Sequence, residues 1–311
     1  MILTFEAGPG FDELLRRLFS QRTSFCYEVL VIDSGSTDGT VGLANRYGAS
    51  VHRIDSSEFD HGATRNLGAS LTSGRYVVFL VQDALPADDN WLAAMVDDLD
   101  ADETVAGAYG RQIPRPGSSP LTRALMRDWP TFRLERREQF AGGAGPYGSL
   151  SPATRRSLAV FDNVSSCVRR SVWEIFPFER TGFGEDVRWG KAVVEAGYKI
   201  VYEPRSAVLH SHERGAIYDL RRHYADTLVL GELFGLYPTP SLPRLLSNVI
   251  LASAHLYLRR ERTALAPRFL LLAMRYALYS QTGAYLAARR SREPGNSRLS
   301  TRIDNFLLKG I

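Results

Sequence analysis

The feature that most constrains this chain is an alternation. In the first hundred residues, short β-branched runs take turns with stretches of helical periodicity. Ile2–Phe5, Val29–Asp33, Val51–Ile54 and Tyr76–Val81 read as strands. Phe11, Leu14, Leu15, Leu18 and Phe19 put one apolar face on a helix over 11–20. Further helices are predicted over about 40–47, from near Thr64, and through Trp91, Leu92, Met95, Val96 and Leu99. Strands separated by helices of this length pair by crossover, so the predicted class is α/β with a mainly parallel, Rossmann-like sheet flanked by helices. Ligands of such sheets gather at the carboxyl ends of the strands.

From residue 104 the pattern changes. Thr104–Ile113 reads as a strand, and 114–160 as a proline- and glycine-rich loop region containing AGGAGPYGS at 141–149. Order returns at Asn163–Arg169, in a helix over Glu185–Ala196, and in a strand Lys199–Tyr202 closed by Glu203-Pro204. The remainder reads helical: Leu245, Val249, Ala252 and Leu256 share one face, as do Phe269, Leu272, Ala273, Tyr276 and Ala277. The expected divisions are 1–103, 104–214 and a basic, helical 215–311.

Composition excludes several classes. Two cysteines, Cys26 and Cys167, make neither a disulfide framework nor a metal cluster. No apolar run reaches the roughly 18–20 residues of a membrane span, and no leader opens the sequence, so a cytoplasmic chain is expected. The formal charge of +4 is uneven: His255–Arg302 holds ten Arg against Glu261 and Glu293, leaving the remainder net acidic. Arg259, Arg260, Arg262, Arg268, Arg275, Arg289, Arg290 and Arg292 accompany an apolar face there. Such helices can lie peripherally on the anionic inner face of a cell membrane, or form a packed subdomain or homo-oligomer interface. Apolar periodicity without a nucleic-acid motif argues against nucleic acid as partner.

Three acids stand where strands end or helices begin: Asp33, Asp83 and Asp186. Each alone has a structural reading, as an Asx-turn residue, a helix cap, or a helix-dipole partner beside Glu185. Together, with VLVIDSGSTDGT, EFDHGATRNLG, YVVFLVQDALPADDNWL, FDNVSSCVRRSVW, GFGEDVRW and YEPRSAVLHSH, they resemble an inverting family 2 glycosyltransferase of the GT-A fold, in its bacterial rhamnosyltransferase branch. The resemblance runs over roughly residues 1–215.

That resemblance implies roles. Thr4, Glu6 and Asp33 would lie near the donor nucleobase. Arg65 would lie near the donor diphosphate, with Gln82 and Asp83 on the donor side. Asp83 takes the place of the metal-binding acid and Asp186 that of the catalytic base, expected to be ionised at neutral pH. Asp83 is flanked by Gln82 and Ala84 where two acids would be usual, so His210 is the candidate to complete a Mg²⁺ or Mn²⁺ site, ahead of His212; the other reading of His210 is a histidine hydrogen-bonded at a strand end. Glu185 and Asn163 would face the acceptor, with Ser165 and Ser166 nearby; Trp189 either walls the acceptor pocket or packs the core; Trp129, Phe132, Phe140 and Tyr147 either stack on sugars or anchor their loop. His61 lies beside Arg65.

The expected activity is transfer of a sugar, rhamnose from dTDP-rhamnose, to a saccharide or lipid-linked saccharide of the cell surface. UDP- and GDP-sugars are the alternative donors. A nucleotidyltransferase would carry a basic glycine-rich loop after the first strand, and Glu6-Ala7-Gly8-Pro9-Gly10 has no basic residue.

Overall fold

The computed structural model describes residues 1–142, 146–261, 265–292 and 304–308. Its elements begin with β1 (Ile2–Thr4), α1 (Gly10–Phe19), β2 (Leu30–Asp33), α2 (Thr40–Arg46), β3 (Ser50–Arg53), α3 (His61–Ser70) and β4 (Tyr76–Val81). Next come β5 (Leu85–Pro86), α4 (Trp91–Ala101), β6 (Val105–Ile113), α5 (Pro120–Met126), β7 (Arg137–Gln139) and α6 (Pro152–Leu158). The order closes with β8 (Ser165–Arg169), α7 (Arg170–Trp173), α8 (Glu185–Glu195), β9 (Lys199–Leu209), α9 (Ala216–Phe234), α10 (Leu242–Arg259) and α11 (Ala266–Arg290). Contacts divide the chain into two compact units, Met1–Arg115 with Pro130–His210, and Pro116–Trp129 with Ser211–Ile311. The halves expected to meet at 103/104 thus lie in one unit.

In the first unit the strands order as β3-β2-β1-β4-β8-β6-β9-β5, with β7 on β9. The first four are parallel neighbours, joined by the crossovers that the alternation implies. The sheet as a whole is mixed rather than mainly parallel. β8 runs antiparallel to both β4 and β6, and β5 and β7 run antiparallel to β9. Helix α1 forms because its apolar residues fall on one stripe; Phe11, Leu14 and Leu15 are fully buried against Ile2, Val31 and Leu80. A second core, on Phe79, Tyr109, Phe161, Phe178 and Trp189, seats α8.

Two stretches depart from expectation. The 114–160 region carries α5, β7 and α6 rather than loop alone. Its prolines start helices: Ser119 and Ser151 each accept the N–H three residues on, and Pro120 and Pro152 sit where no intrahelical donor is needed. Likewise Pro204 does not end β9. The β6–β9 ladder pairs Gly110 with Glu203 and then Arg111 with Ala207, so Pro204, which has no N–H, falls in the skipped stretch. The continuation carries β9 to Leu209, where it also pairs β5.

The second unit is helical. Ala124 of α5, Leu256 of α10 and Phe269 and Ala273 of α11 form one core. Leu245, Leu256, Phe269, Ala273 and Ala277 are buried as the periodicity predicts, whereas Leu272 is 36 % exposed. Beyond the predicted inner faces, α10 and α11 carry outer stripes of their own: Leu246, Ile250 and Leu258 on one, Leu271, Met274 and Leu278 on the other, all exposed. No helix among the described residues is long and apolar enough to cross a membrane. Arg262, Glu293 and the predicted contributions up to Arg302 lie outside the described residues.

Candidate active site

The carboxyl ends of β1 and β2 meet side by side. Asp33, fully buried, closes β2. Its Oδ2 accepts the N–H groups of Gly35 (3.1 Å) and Ser36 (2.9 Å), and its Oδ1 accepts Thr4 Oγ1–H at 3.0 Å. Asp33 and Thr4 thus shape this loop from inside, and Asp33 Oδ1 keeps acceptor capacity beyond the Thr4 hydroxyl. Glu6 bonds within the same loop through one oxygen: its Oε1 accepts both Thr37 N–H and Thr37 Oγ1–H at 2.9 Å. It holds φ +46°, a left-handed conformation costly for a residue with a Cβ. The Gln82 amide accepts Phe5 N–H at 2.8 Å and donates to Phe5 C=O at 3.1 Å. Gln82 therefore fixes the loop, and what it leaves exposed is the Phe5 ring, at 54 %. The resemblance places Phe5 with Thr4 and Glu6 near the nucleobase, and the exposure of its ring is what the structure adds.

Asp83 follows β4 and caps no helix; α4 begins at Trp91 with Asn90 before it. Pairing of β5 with β9 brings Asp83 Oδ1 to 3.7 Å from His210 Nε2, across 127 positions of sequence. His210 is buried, its N–H donates to Ile113 C=O at 2.9 Å, and its Nδ1 lies 2.9 Å from Gln112 Oε1. The Asp83 carbonyl accepts from the Arg115 guanidinium. Gln112 and Arg115 were missed by sequence reasoning. The rule that picked out Asp33 and Asp83, polar residues at the carboxyl end of a strand, would have found both at the end of β6.

A carboxylate oxygen and an imidazole nitrogen this close, one partly exposed and one held rigid, fit the donor set of a divalent cation. Phosphate oxygens and water would supply the other positions.

The second cluster surrounds the start of α8. Gly184, at φ +79°, turns the chain so that Glu185 and Asp186 lead the helix. Arg65, expected near the donor diphosphate, points into the protein. It is buried and its Nη1–H groups donate to Glu185 Oε1 at 2.7 Å and His61 C=O at 3.1 Å. Asn163 Nδ2–H also donates to Glu185 Oε1, at 3.2 Å, while Asn163 Oδ1 accepts Ser166 Oγ–H at 2.8 Å. Trp189 is core: its ring lies 4.5 Å from that of Phe161, tilted by 43°, and Nε1–H donates to Phe176 C=O at 2.9 Å. So Glu185 and Asn163, expected on the acceptor side, are buried in a support for Arg65, and Trp189 takes the core alternative of its two readings. Tyr147 is core as well, whereas Phe140 is exposed.

That support aims Arg65 at Glu185, and its charge reaches Asp186 only as a weak counterweight. Asp186 Oδ1 accepts Val187 N–H at 2.7 Å. Desolvation first, then the charges of Glu185 and Asp162, push its carboxyl up to about 8. The expectation of an ordinary ionised carboxylate is therefore corrected: the field of one helix start is weaker than burial beside two acids. A carboxyl tuned toward neutral pH is suited to take a proton from a hydroxyl.

Comparison with known proteins agrees with this architecture. The family model described as glycosyl transferase family 2 matches residues 1–160. An O-antigen chain rhamnosyltransferase of Salmonella anatum is 31% identical over 229 residues, 72% of this chain and 69% of that one. The counterpart from Salmonella typhimurium gives the same figures, 31% over 229 residues with 72% and 69% covered. Among solved structures, a mannosyltransferase of Pyrobaculum calidifontis in complex with GDP-Man and Mn²⁺ superposes with TM-score 0.53 at 19% identity, over 98% of this chain and 77% of that one. TarS 1–349 of S. aureus in complex with UDP-GlcNAc gives TM-score 0.52 at 14% identity, over 94% of this chain and 92% of that one. The chain belongs to glycosyl transferase family 2 and has the GT-A fold.

Proposed function

We propose that this glycosyltransferase transfers rhamnose from dTDP-rhamnose to a growing cell-surface saccharide, with inversion at the anomeric carbon. The observation that carries the reading is Asp186, a single carboxyl raised toward neutral pH by burial and neighbouring acids. In one displacement the acceptor hydroxyl gives its proton to Asp186 as its oxygen bonds to the anomeric carbon. The bond from that carbon to the nucleoside diphosphate breaks with its electron pair on the phosphate oxygen. Asp83 and His210 would hold a divalent cation, Mg²⁺ or Mn²⁺, which when bound offsets charge on the leaving diphosphate. Phe5 offers a face for the nucleobase. The likeness to two O-antigen chain rhamnosyltransferases supports rhamnose. A thermal-shift panel tests the donor: stabilisation by dTDP-rhamnose is expected, and stabilisation by UDP- or GDP-sugars without it would reassign the donor.

For the second unit the proposed partner is an anionic membrane surface bearing the acceptor. The outer leucine stripes of α10 and α11 are flanked by Arg244, Arg268 and Arg275, a pattern that suits shallow insertion among acidic headgroups. Co-flotation with anionic vesicles and not zwitterionic ones is the expected result. A homodimer that ignores vesicles would place a second copy on this face instead.

A further inference from the structure

Gln112 lies one residue from the end of β6 and is 2 % exposed. Its side chain bridges two groups that are far apart in sequence. Nε2–H donates to Asp162 Oδ2 at 2.7 Å, and Oε1 lies 2.9 Å from His210 Nδ1. Asp162 is itself anchored, since its Oδ1 accepts Val164 N–H at 2.9 Å.

The chemistry of the three groups sets the direction of these bonds. An ionised carboxylate only accepts, so the amide nitrogen of Gln112 must face Asp162. The amide oxygen then faces His210, and an oxygen there requires a proton on Nδ1. In the neutral ring this leaves the lone pair on Nε2, the atom 3.7 Å from Asp83 Oδ1. An imidazole nitrogen can ligate a cation only through such a lone pair.

We propose that Gln112, held by Asp162, is a positioning residue that keeps His210 in its Nδ1–H form and so presents Nε2 beside Asp83 as a ready ligand. The cation part rests on the proposed reading of Asp83 and His210; the tautomer does not. The relay is built from β6, the segment before β8 and the end of β9, so it forms only when the sheet has assembled. It also places Asp162 between two tasks, because the same carboxylate contributes to raising Asp186.

The test is carried out on the full chain. Long-range ¹H–¹⁵N correlation of the ring nitrogens, near pH 8 where free imidazole is neutral, reads the tautomer, with His210 assigned by loss of its signals in His210→Asn. Mn²⁺ affinity is measured separately by calorimetry in the presence of a nucleoside diphosphate. Wild type should show His210 protonated on Nδ1. Gln112→Leu, close to isosteric, and Asp162→Asn, which lets the amide turn over, should lose that preference and bind Mn²⁺ about 10–100-fold more weakly. Thermal melts and circular dichroism confirm that each variant is folded. The proposal is overturned if wild-type His210 is protonated on Nε2, or if folded Gln112→Leu keeps both the Nδ1–H form and the affinity. A wild type with the Nδ1–H form, lost in Gln112→Leu, that binds no Mn²⁺ would uphold the relay and remove the cation from the proposed function.

Discussion

The end of β2 and the start of α8 make an instructive pair. Each presents an aspartate at the boundary of a regular element, Asp33 fully buried and Asp186 partly so. At β2 the protein surrounds Asp33 with donors: two backbone N–H groups and the Thr4 hydroxyl. At α8 it sets Asp186 near two acids, Glu185 and Asp162, and directs its buried cation, Arg65, to Glu185 instead. The same residue type is a structural anchor in one place and a candidate base in the other. What differs is the kind of neighbour: hydrogen-bond donors at Asp33, and at Asp186 other acids, which oppose its ionisation.

The comparison can be broken most directly at Asp186. Asp186→Asn keeps the shape and removes the proton acceptor, so turnover should fall by about 10²–10⁴-fold with donor binding little changed. A transfer assay alongside donor titration measures both, and turnover within about tenfold of wild type would remove Asp186 from the mechanism.

The support can be broken next. Arg65→Met leaves Glu185 buried without its cation, and breaking a buried pair in this way costs about 3–5 kcal/mol. Denaturant unfolding should show that loss. A near-neutral result would mean that water reaches Glu185. A smaller stability loss, about 1–3 kcal/mol, is expected for Asp33→Ala, because the Gly35 and Ser36 N–H groups lose their acceptor. Its signature should be weaker donor binding through a loosened loop, with less effect on the chemical step. If Asp33→Ala abolishes turnover in a stable protein, Asp33 is more than an anchor.

The finest test is the dependence on pH. Asp186 in the folded protein holds its proton up to about 8, against 3.8 for an ordinary aspartate. A folded pKa raised this way favours the folded state at low pH, and that contribution is lost as pH rises from about 3.8 toward 8. Activity runs the opposite way, since the base must be deprotonated, and should climb through the same upper region. Glu185→Gln removes the neighbouring acid that most opposes ionisation, so the acid limb of the rate profile should move to lower pH. An unmoved limb would separate the limb from Asp186. In Asp186→Asn the pH dependence of stability over that window should flatten.

Much of the fold is legible in the order of residues alone. The helical stripe of α1, the buried run of β4 and the inner faces of α10 and α11 follow from periodicities of 3.6 and 2, which short-range packing enforces. Less legible are elements where one residue has two uses. Pro120 and Pro152 read as breakers but serve as first helical residues behind a serine cap. Pro204 reads as a strand end but sits in a skipped stretch of the ladder. The antiparallel placement of β8 depends on partners about 90 residues away and leaves no local trace.

For the site, the sequence by itself determined which acids stand at element ends, and with them the family. Asp33, Asp83 and Asp186 were visible because strand and helix boundaries are local. The tertiary structure alone decided their states and neighbours. It turned Arg65, Glu185 and Asn163 inward to one another, brought His210 to Asp83 through the β5–β9 pairing, and added Gln112 and Asp162 behind the histidine. The physical reason is that a carboxyl's pKa and an imidazole's tautomer are set by charges and donors within a few ångströms. Those neighbours come from segments that only the assembled sheet brings together.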